Sequence, residues 1–182
     1  KAPAQRPLPY NEWGLDFLSD YITNTHHSYV KKNLPDIKNY ADKVATVHGS
    51  RHPELFPVRQ LVAEICSEML DHMMKEEGIL FPYVKMLATA KATGQPLNSS
   101  RFGTVQNPIH IMEKEHETVA KNLEHIRELT GNYTLPEDAC ASYSLLFRML
   151  DEFEDDLHLH VHLENNILFP KTLELEKQLL VQ

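Results

Sequence analysis

Apolar residues recur at every third or fourth position in four separate stretches of the chain. This is the spacing of one face of an α-helix, so each stretch predicts an amphipathic helix with one buried side. The connections are mostly short, which favours antiparallel neighbours, so the pattern predicts an all-α, up-down-up-down four-helix bundle. The main apolar positions of the four helices are Val30, Leu34, Ile37, Ala41 and Val44; Val58, Leu61, Ile65, Met69 and Ile79; Ile109, Met112, Val119, Leu123 and Ile126; and Leu146, Met149, Phe153, Leu157 and Ile167.

Glycine and proline mark the expected ends of these helices. Gly49 is predicted to close the first helix as a C′ residue, and Pro82 and Pro170 to kink or end the second and the fourth. Residues 89–105 contain glycine, proline and serine and are predicted to form the one long loop. A capping box is predicted at residues 134–137, before the last helix.

The start of the chain differs in composition from the rest. It begins at Lys1, and the proline-rich segment KAPAQRPLP follows from there. We therefore expect residues 1–12 to be a tail or linker and residues 13–182 to be one domain. We also expect a further segment to precede residue 1 in the full protein. A length of 182 residues suits a single domain with a sizeable core.

Charge and cysteine usage exclude several kinds of protein. The net charge of −8 argues against a nucleic-acid partner, because phosphate binding needs a basic face. Cys66 and Cys140 are too few for a disulfide framework and are predicted to be reduced, buried thiols of a cytoplasmic protein. The sequence has no apolar run long enough to span a bilayer, so a membrane role is not expected.

Eleven histidines are the compositional anomaly, and an internal repeat singles out four of them. HMMKEEGILFP at 72–82 recurs as HVHLENNILFP at 160–170, and HSYVKKNLPDI at 27–37 recurs in part as HETVAKNLEHI at 116–126. The two offsets agree within one residue, so the chain is predicted to be two helical hairpins related by a pseudo-two-fold axis. The ionisable residues that repeat on the core faces are His27, His72, Glu76, His116, His160 and Glu164.

These six residue types at this spacing are typical of a metal pair. Residues four apart on a helix face the same way, so His-x-x-x-Glu can give one nitrogen and one carboxylate to one centre. Two such pairs with one histidine from each remaining helix provide four imidazoles and two carboxylates. Bridging glutamates would give each metal two nitrogens and two oxygens, and an oxide or hydroxide bridge would still leave a position open. This set suits iron or manganese, and zinc less well.

Three acidic residues are candidates for supporting the predicted ligands. Glu68 and Asp156 each lie four residues before a ligand histidine, 88 residues apart, and each could accept its outer ring N–H. Alternatively, Glu68 and Glu115 could line a polar route to the metals, or the acids could be solvated charges at the rim of the bundle. His48 also lies on a core face. It is about 30 Å from His27 along a continuous helix, so we exclude it from the ligands.

The remaining histidines are predicted to face solvent. They are His26, His52, His110, His125, His158 and His162. The two ILFP segments are predicted to be core residues followed by helix termination.

Taken together, the motifs resemble those of hemerythrin-like di-iron proteins, and specifically the repair-of-iron-centres family. HHSYVKKNLPDI, KVATVHG, HMMKEEGILFP, IMEKEHE and HVHLENNILFP carry the resemblance, which extends over residues 15–176. It implies two iron ions, oxo- or hydroxo-bridged, bound by the six residues above in a bacterial cytoplasmic protein. It also implies damaged iron–sulfur proteins as partners, whose clusters nitric oxide or peroxide has attacked, and repair by iron donation.

Two departures from related proteins bear on function. Members of that family usually carry a short N-terminal segment with adjacent cysteines. This sequence does not include one, because that segment was trimmed off, is encoded elsewhere or is absent. Oxygen-carrying hemerythrins place a second histidine four residues after the first on the third helix, where this chain has Ala120. A metal site with fewer nitrogen ligands than in those hemerythrins favours reactivity or iron exchange over oxygen storage. The alternatives are a di-iron enzyme that reduces nitric oxide or peroxide, and a module that binds or senses oxygen or nitric oxide.

Overall fold

Four long helical rods form the molecule, as the computed structural model shows for residues 7–97, 100 and 102–180. Three of the four rods are α-helical at both ends and contain one π-helical turn. The rods are α1 (Leu15–Tyr21, π-turn Ile22–His27, Ser28–His48), α2 (Leu55–Lys75, π-turn Glu76–Leu80, Phe81–Thr93), α3 (Gln106–Leu129) and α4 (Ala141–Leu163, π-turn Glu164–Leu168, Phe169–Leu180). This architecture confirms the predicted four-helix bundle.

The prediction that Pro82 and Pro170 end their helices is wrong. Both α2 and α4 continue for about three further turns beyond the proline. A proline ring clashes with the carbonyl of the preceding helical turn and donates no hydrogen bond to it. In both helices a wider π-turn comes just before the proline. This turn gives the proline ring room and leaves fewer regular backbone hydrogen bonds for the proline to break.

A π-turn also changes which residues face the core. Ile79, predicted as a core residue of α2, is 52% exposed, whereas its neighbour Leu80 is buried. Leu80 keeps a spacing of four from Glu76, and Phe81 next to it is buried too, so adjacent residues face the core at the end of the π-turn. The equivalent residue of α4, Ile167, is buried as predicted.

Gly49 follows α1 as predicted, but a left-handed backbone is not the reason for glycine there. Its φ is −60°, in the right-handed region. A Cβ at this position would lie 2.4 Å from Cζ of Phe56 and 2.3 Å from the carbonyl oxygen of Ala45. Glycine is needed for space, because the Phe56 ring crosses directly over the end of the helix.

Two further boundaries differ from the sequence prediction. Helix α2 runs to Thr93 and ends at Gly94, whose φ is +68°, so the connection to α3 is shorter than residues 89–105. Helix α4 starts only at Ala141, after Cys140 in extended backbone, so the capping box predicted at 134–137 is wrong. Cys140 is consequently exposed rather than buried, while Cys66 is buried as predicted.

The core consists of two apolar clusters separated along the bundle axis. One contains Val30, Leu123, Phe153 and their neighbours, and the other contains Leu18, Leu80 and Phe169 with theirs. The short turn Tyr10–Glu12 and Trp13 pack against the second cluster. No helix among the described residues combines the length and apolar character that crossing a lipid bilayer requires.

Candidate metal centre

Six ionisable side chains meet between the two apolar clusters. All six are buried, and the largest exposed fraction among them is 6%, at His116. They come from all four helices and are His27 (α1), His72 and Glu76 (α2), His116 (α3), and His160 and Glu164 (α4). Burying this many ionisable groups is costly unless they are paired or bind a cation.

The three π-turns lie at this layer. His27 is the last residue of the turn in α1, and Glu76 and Glu164 are the first residues of the turns in α2 and α4. A π-turn widens the helix, so that more consecutive residues face inward than in an α-helix. Isolated π-turns occur frequently at functional sites, and here each one presents a side chain of the cluster.

The cluster divides into two overlapping groups. One is His27, His160, Glu76 and Glu164, and the other is His72, His116 and the same two glutamates. In the first group His27 Nε2 lies 3.0 Å from Glu76 Oε2, and His160 Nε2 lies 2.6 Å from Glu164 Oε1. In the second group, His72 Nε2 lies 3.1 Å from Glu76 Oε1, and His116 Nε2 lies 2.8 Å from Glu164 Oε2. Each carboxylate thus turns one oxygen to each group.

The donor atoms fit a pair of metal ions. Two ligand atoms on one ion, each about 2.0–2.2 Å from it, can be at most about 4.4 Å apart. Nε2 of His27 and Nε2 of His72 each lie 3.9 Å from an oxygen of Glu164, and all the donor atoms of each group lie within 4.8 Å of one another. Glu76 Oε1 and Glu164 Oε2 are buried without a hydrogen-bond partner in the described part of the chain. These two oxygens therefore keep lone pairs for a cation, whereas Glu76 Oε2 and Glu164 Oε1 are hydrogen-bonded to His27 and His160.

Protons balance the charge of the cluster when no cation is bound. Burial alone would lower the pKa of His72, but the carboxylates of Glu76 and Glu164 raise it to about 10. The pKa of His160 is raised as well, because the nearby Glu164 outweighs burial. Burial would raise the pKa of Glu164, but His160 and His116 hold it well below its usual value. A metal that bound here would displace these protons, since imidazole binds metals in its neutral form.

Two phenylalanines of the ILFP repeats close the layer on one side. Phe81 stacks on the His27 ring at 5.6 Å, and Phe169 stacks on the His116 ring at 6.1 Å, both nearly parallel. They occupy equivalent positions of the repeat. The ILFP segments therefore contact the cluster, and they continue their helices rather than terminate them.

Of the three predicted supporting acids, Asp156 and Glu115 pair with other residues. Asp156, expected to accept from His160, has its Oδ1 3.1 Å from Nδ1 of His26. Glu68 has a buried Oε2 without a hydrogen-bond partner among the described residues. Glu115 Oε2 approaches His72 Nδ1 to 3.8 Å, beyond hydrogen-bond range, and Glu115 forms an ion pair with Lys75.

Sequence reasoning missed the residues that follow the two glutamates. Asn165 Oδ1 lies 2.9 Å from Nδ1 of His116, and Glu77 Oε2 approaches Nδ1 of His27 to 3.7 Å. Glu77 and Asn165 are equivalent positions of the repeat, which was the available signal. They face the histidines because a π-turn begins at the glutamate before each of them.

Of the histidines predicted to face solvent, four are exposed, whereas His52 is half-buried beside Asp138 and His26 is buried. Its side chain was expected in solvent, but it is buried and stacks on the His160 ring at 5.4 Å. It precedes His27 within a π-turn, which directs both neighbours inward. His48 lies among residues of the other end of the bundle, 5.2 Å from the Tyr143 ring.

The two groups differ in how they are covered. Over His27, Lys31 and Glu77 form an ion pair at 2.7 Å. The positions equivalent to these at His116 are Ala120 and Asn165, which form no such pair, although Lys75 and Glu115 form an ion pair beside His72 in the same group. A groove of about 360 Å³ leads here to His116 between α3 and α4.

Known proteins are similar to this chain over most of its length. The family model described as the hemerythrin HHE cation binding domain matches residues 20–172. A probable iron-sulfur cluster repair protein of Haemophilus influenzae is 38% identical over 156 residues, 86% of this chain and 64% of the relative. The iron-sulfur cluster repair protein YtfE of Yersinia pseudotuberculosis is 36% identical over 159 residues, 87% of this chain and 66% of the relative. The chain thus spans slightly less than two thirds of the length of these relatives. Since the family match includes most of the chain and all six clustered residues, the protein belongs to the hemerythrin HHE cation-binding family.

Proposed function

We propose that the cluster binds two iron ions and that the protein helps to repair damaged iron–sulfur clusters. The observation that carries the proposal is the pair of overlapping groups with shared glutamates. His27 and His160 would hold one ion and His72 and His116 the other, and Glu76 and Glu164 would each offer one oxygen to each ion.

Iron suits this donor set better than the other common metals. Two imidazole nitrogens and two carboxylate oxygens per ion, without thiolate, are typical of iron and manganese sites. Iron bound there supplies one-electron redox chemistry and an open coordination position. The cation-binding description of the family supports a metal, and the similarity to proteins named for iron–sulfur cluster repair supports iron.

The chain's own residues control access to the ions. Phe81 and Phe169 exclude water from one side of the layer. Asn165 orients the His116 ring, and a fixed ring orientation strengthens a histidine ligand. Glu68 and Glu115 line a polar route to the second group. The pKa of the Glu68 carboxyl is raised, mainly by burial and further by the charges of Glu64 and Glu115.

Repair by iron donation follows from a site that binds iron without saturating it. The partners are cytoplasmic proteins whose iron–sulfur clusters have been damaged by nitrosative or oxidative stress, and the protein itself acts in the cytoplasm. The names of the two relatives, which refer to iron–sulfur cluster repair, support the repair role. Nitric oxide or oxygen is a small ligand that the open positions could take.

The test uses a cluster enzyme inactivated by nitric oxide. We expect the iron-loaded protein to restore its activity, and iron in the restored cluster to carry the isotope loaded into this protein. The matched control is His72→Ala/His160→Ala protein, which keeps its helical circular dichroism but carries no iron to donate. Equal restoration by the control, or restoration without labelled iron, contradicts donation.

A second candidate is an enzyme that reduces nitric oxide or peroxide, favoured by the groove that reaches His116. It predicts repeated turnover of either substrate by the reduced protein, which donation does not require. Reversible spectral change without turnover would instead support a module that binds or senses oxygen or nitric oxide.

A further inference from the structure

A continuous file of aromatic rings runs from the protein surface to the candidate ligand His160. Tyr10 lies 5.1 Å from Trp13, and Trp13 lies 5.0 Å from Tyr21, measured between ring centroids. Tyr21 lies 5.9 Å from His26, which stacks on His160 at 5.4 Å and 22°. Every step is within the range of direct ring contact.

The outer end of the file is accessible, and the inner end is fixed. Tyr10 and Trp13 are half-buried, and Phe17 beside Trp13 is 56% exposed. His26 is 2% exposed, and Asp156 holds its Nδ1 at 3.1 Å. A small reagent in solution can therefore touch the outer rings, but it cannot reach His26.

Packing alone does not explain the composition of the file. The buried imidazole of His26 has Asp156 as a partner at Nδ1, but its Nε2 has none among the described residues, so an apolar ring would leave fewer polar atoms unpaired at this position. The equivalent position of the repeat is Glu115, which has no ring. The file therefore belongs to the His27/His160 side alone and is not a consequence of the pseudo-two-fold fold.

We propose that Trp13, Tyr21 and His26 form a one-electron path between the protein surface and the metal centre. The path rests on the proposed iron pair, which His160 would bind. Electron tunnelling slows steeply as the gap between donor and acceptor widens, so a series of ring contacts is faster than one long step. Indole and phenol are the side chains of this path that lose an electron most readily.

Peroxide makes the path visible because its reduction needs two electrons. Hydrogen peroxide takes up two electrons and two protons and leaves as two water molecules. If the iron pair carried only one electron, Trp13 would supply the second through Tyr21 and His26 and release its indole proton to water. The resulting indolyl radical would add dissolved oxygen, and the peroxyl radical so formed would take one electron and one proton from residual reductant to leave a hydroperoxide of tryptophan.

The experiment maps oxidised residues by mass spectrometry after iron-loaded, singly reduced protein reacts with hydrogen peroxide. We expect Trp13 oxidation several-fold above that in metal-free protein. Tyr21→Phe keeps the ring packing but removes the readily oxidised phenol, so it should lower Trp13 oxidation several-fold at unchanged iron content. The matched control Tyr133→Phe removes a phenol that packs on Phe147 at the other end of the bundle and should have no effect.

Iron content is measured in every sample, which separates two kinds of failure. Equal Trp13 oxidation with and without iron, or in Tyr21→Phe and wild-type protein, overturns the path while the metal centre stands. Wild-type protein that binds no iron overturns the proposed function and the path with it.

Discussion

The two halves of the candidate centre have the same ligand chemistry but different surroundings. Each half offers two histidines and one oxygen from each glutamate. His27 and His160 have no exposed surface, and the Lys31–Glu77 ion pair lies over His27. His116 keeps 6% of its surface exposed beside Ala120 and the groove.

This difference shows what the internal repeat preserves. The ligand positions recur in both hairpins because both are needed to complete either group. The residues that cover them do not recur, so access has diverged while ligation has not. We therefore expect the two metal positions to be filled together but to exchange at different rates, with the His72/His116 position faster.

Loss of a shared glutamate should empty both halves of the centre, so that they no longer differ. Glu164→Ala deletes an oxygen from both groups, so we expect both irons to be lost, whereas His116→Ala should mainly empty its own half. Elemental analysis of the purified variants measures this. Glu176→Gln alters another buried carboxylate, which accepts from Tyr83 outside the cluster, and should retain all iron. Full iron in Glu164→Ala would contradict the bridging role.

Removal of an outer partner should weaken one half only. Asn165→Ala deletes the hydrogen bond to His116, and such losses typically cost about 10–100-fold in metal affinity. Competition with a chelator of known affinity would show one weakened site and one unchanged site. The adjacent Asn166 is exposed and bonds to His162, so Asn166→Ala is the matched control and should change neither. Equal weakening of both sites by Asn165→Ala would argue against separate halves.

Exchanging the residues that cover His27 and His116 should alter the rates of iron release more than the affinities for iron. Lys31→Ala opens the His27 side and should speed release of the slow iron to a chelator several-fold. Ala120→Lys with Asn165→Glu copies the closed cover onto the other side and should slow the fast iron. Stopped-flow release kinetics resolve the two phases. Lys85→Ala breaks a comparable exposed pair with Asp20 elsewhere and should leave both phases unchanged. Identical phases in Lys31→Ala and wild-type protein would mean that the ion pair does not limit access.

The sequence predicted the fold and the six clustered residues because both depend on periodicity. Helical spacing placed His72 and Glu76 on one face, and the repeat separated the four relevant histidines from the other seven. That six ionisable residues converge in the structure agrees with this reasoning, while their binding of iron remains a proposal.

What the sequence could not reveal depends on the π-turns. Nothing in the spacing indicates where a helix takes up an extra residue. Glu77 and Asn165 would point away from the cluster in a regular α-helix, and so would His26 beside His27. The supporting residues were therefore sought one α-helical turn before the ligands, at Glu68 and Asp156. Ile79 was placed in the core by its spacing of three from Glu76, whereas Leu80, at a spacing of four, is the buried residue.

Anomalous diffraction at the iron edge from crystals of the iron-loaded protein tests the central claim most directly. The account predicts two iron peaks per chain, one between His27 and His160 and one between His72 and His116, with both glutamates bridging them. A single peak, peaks at the His48 end of the bundle, or none at all would contradict it.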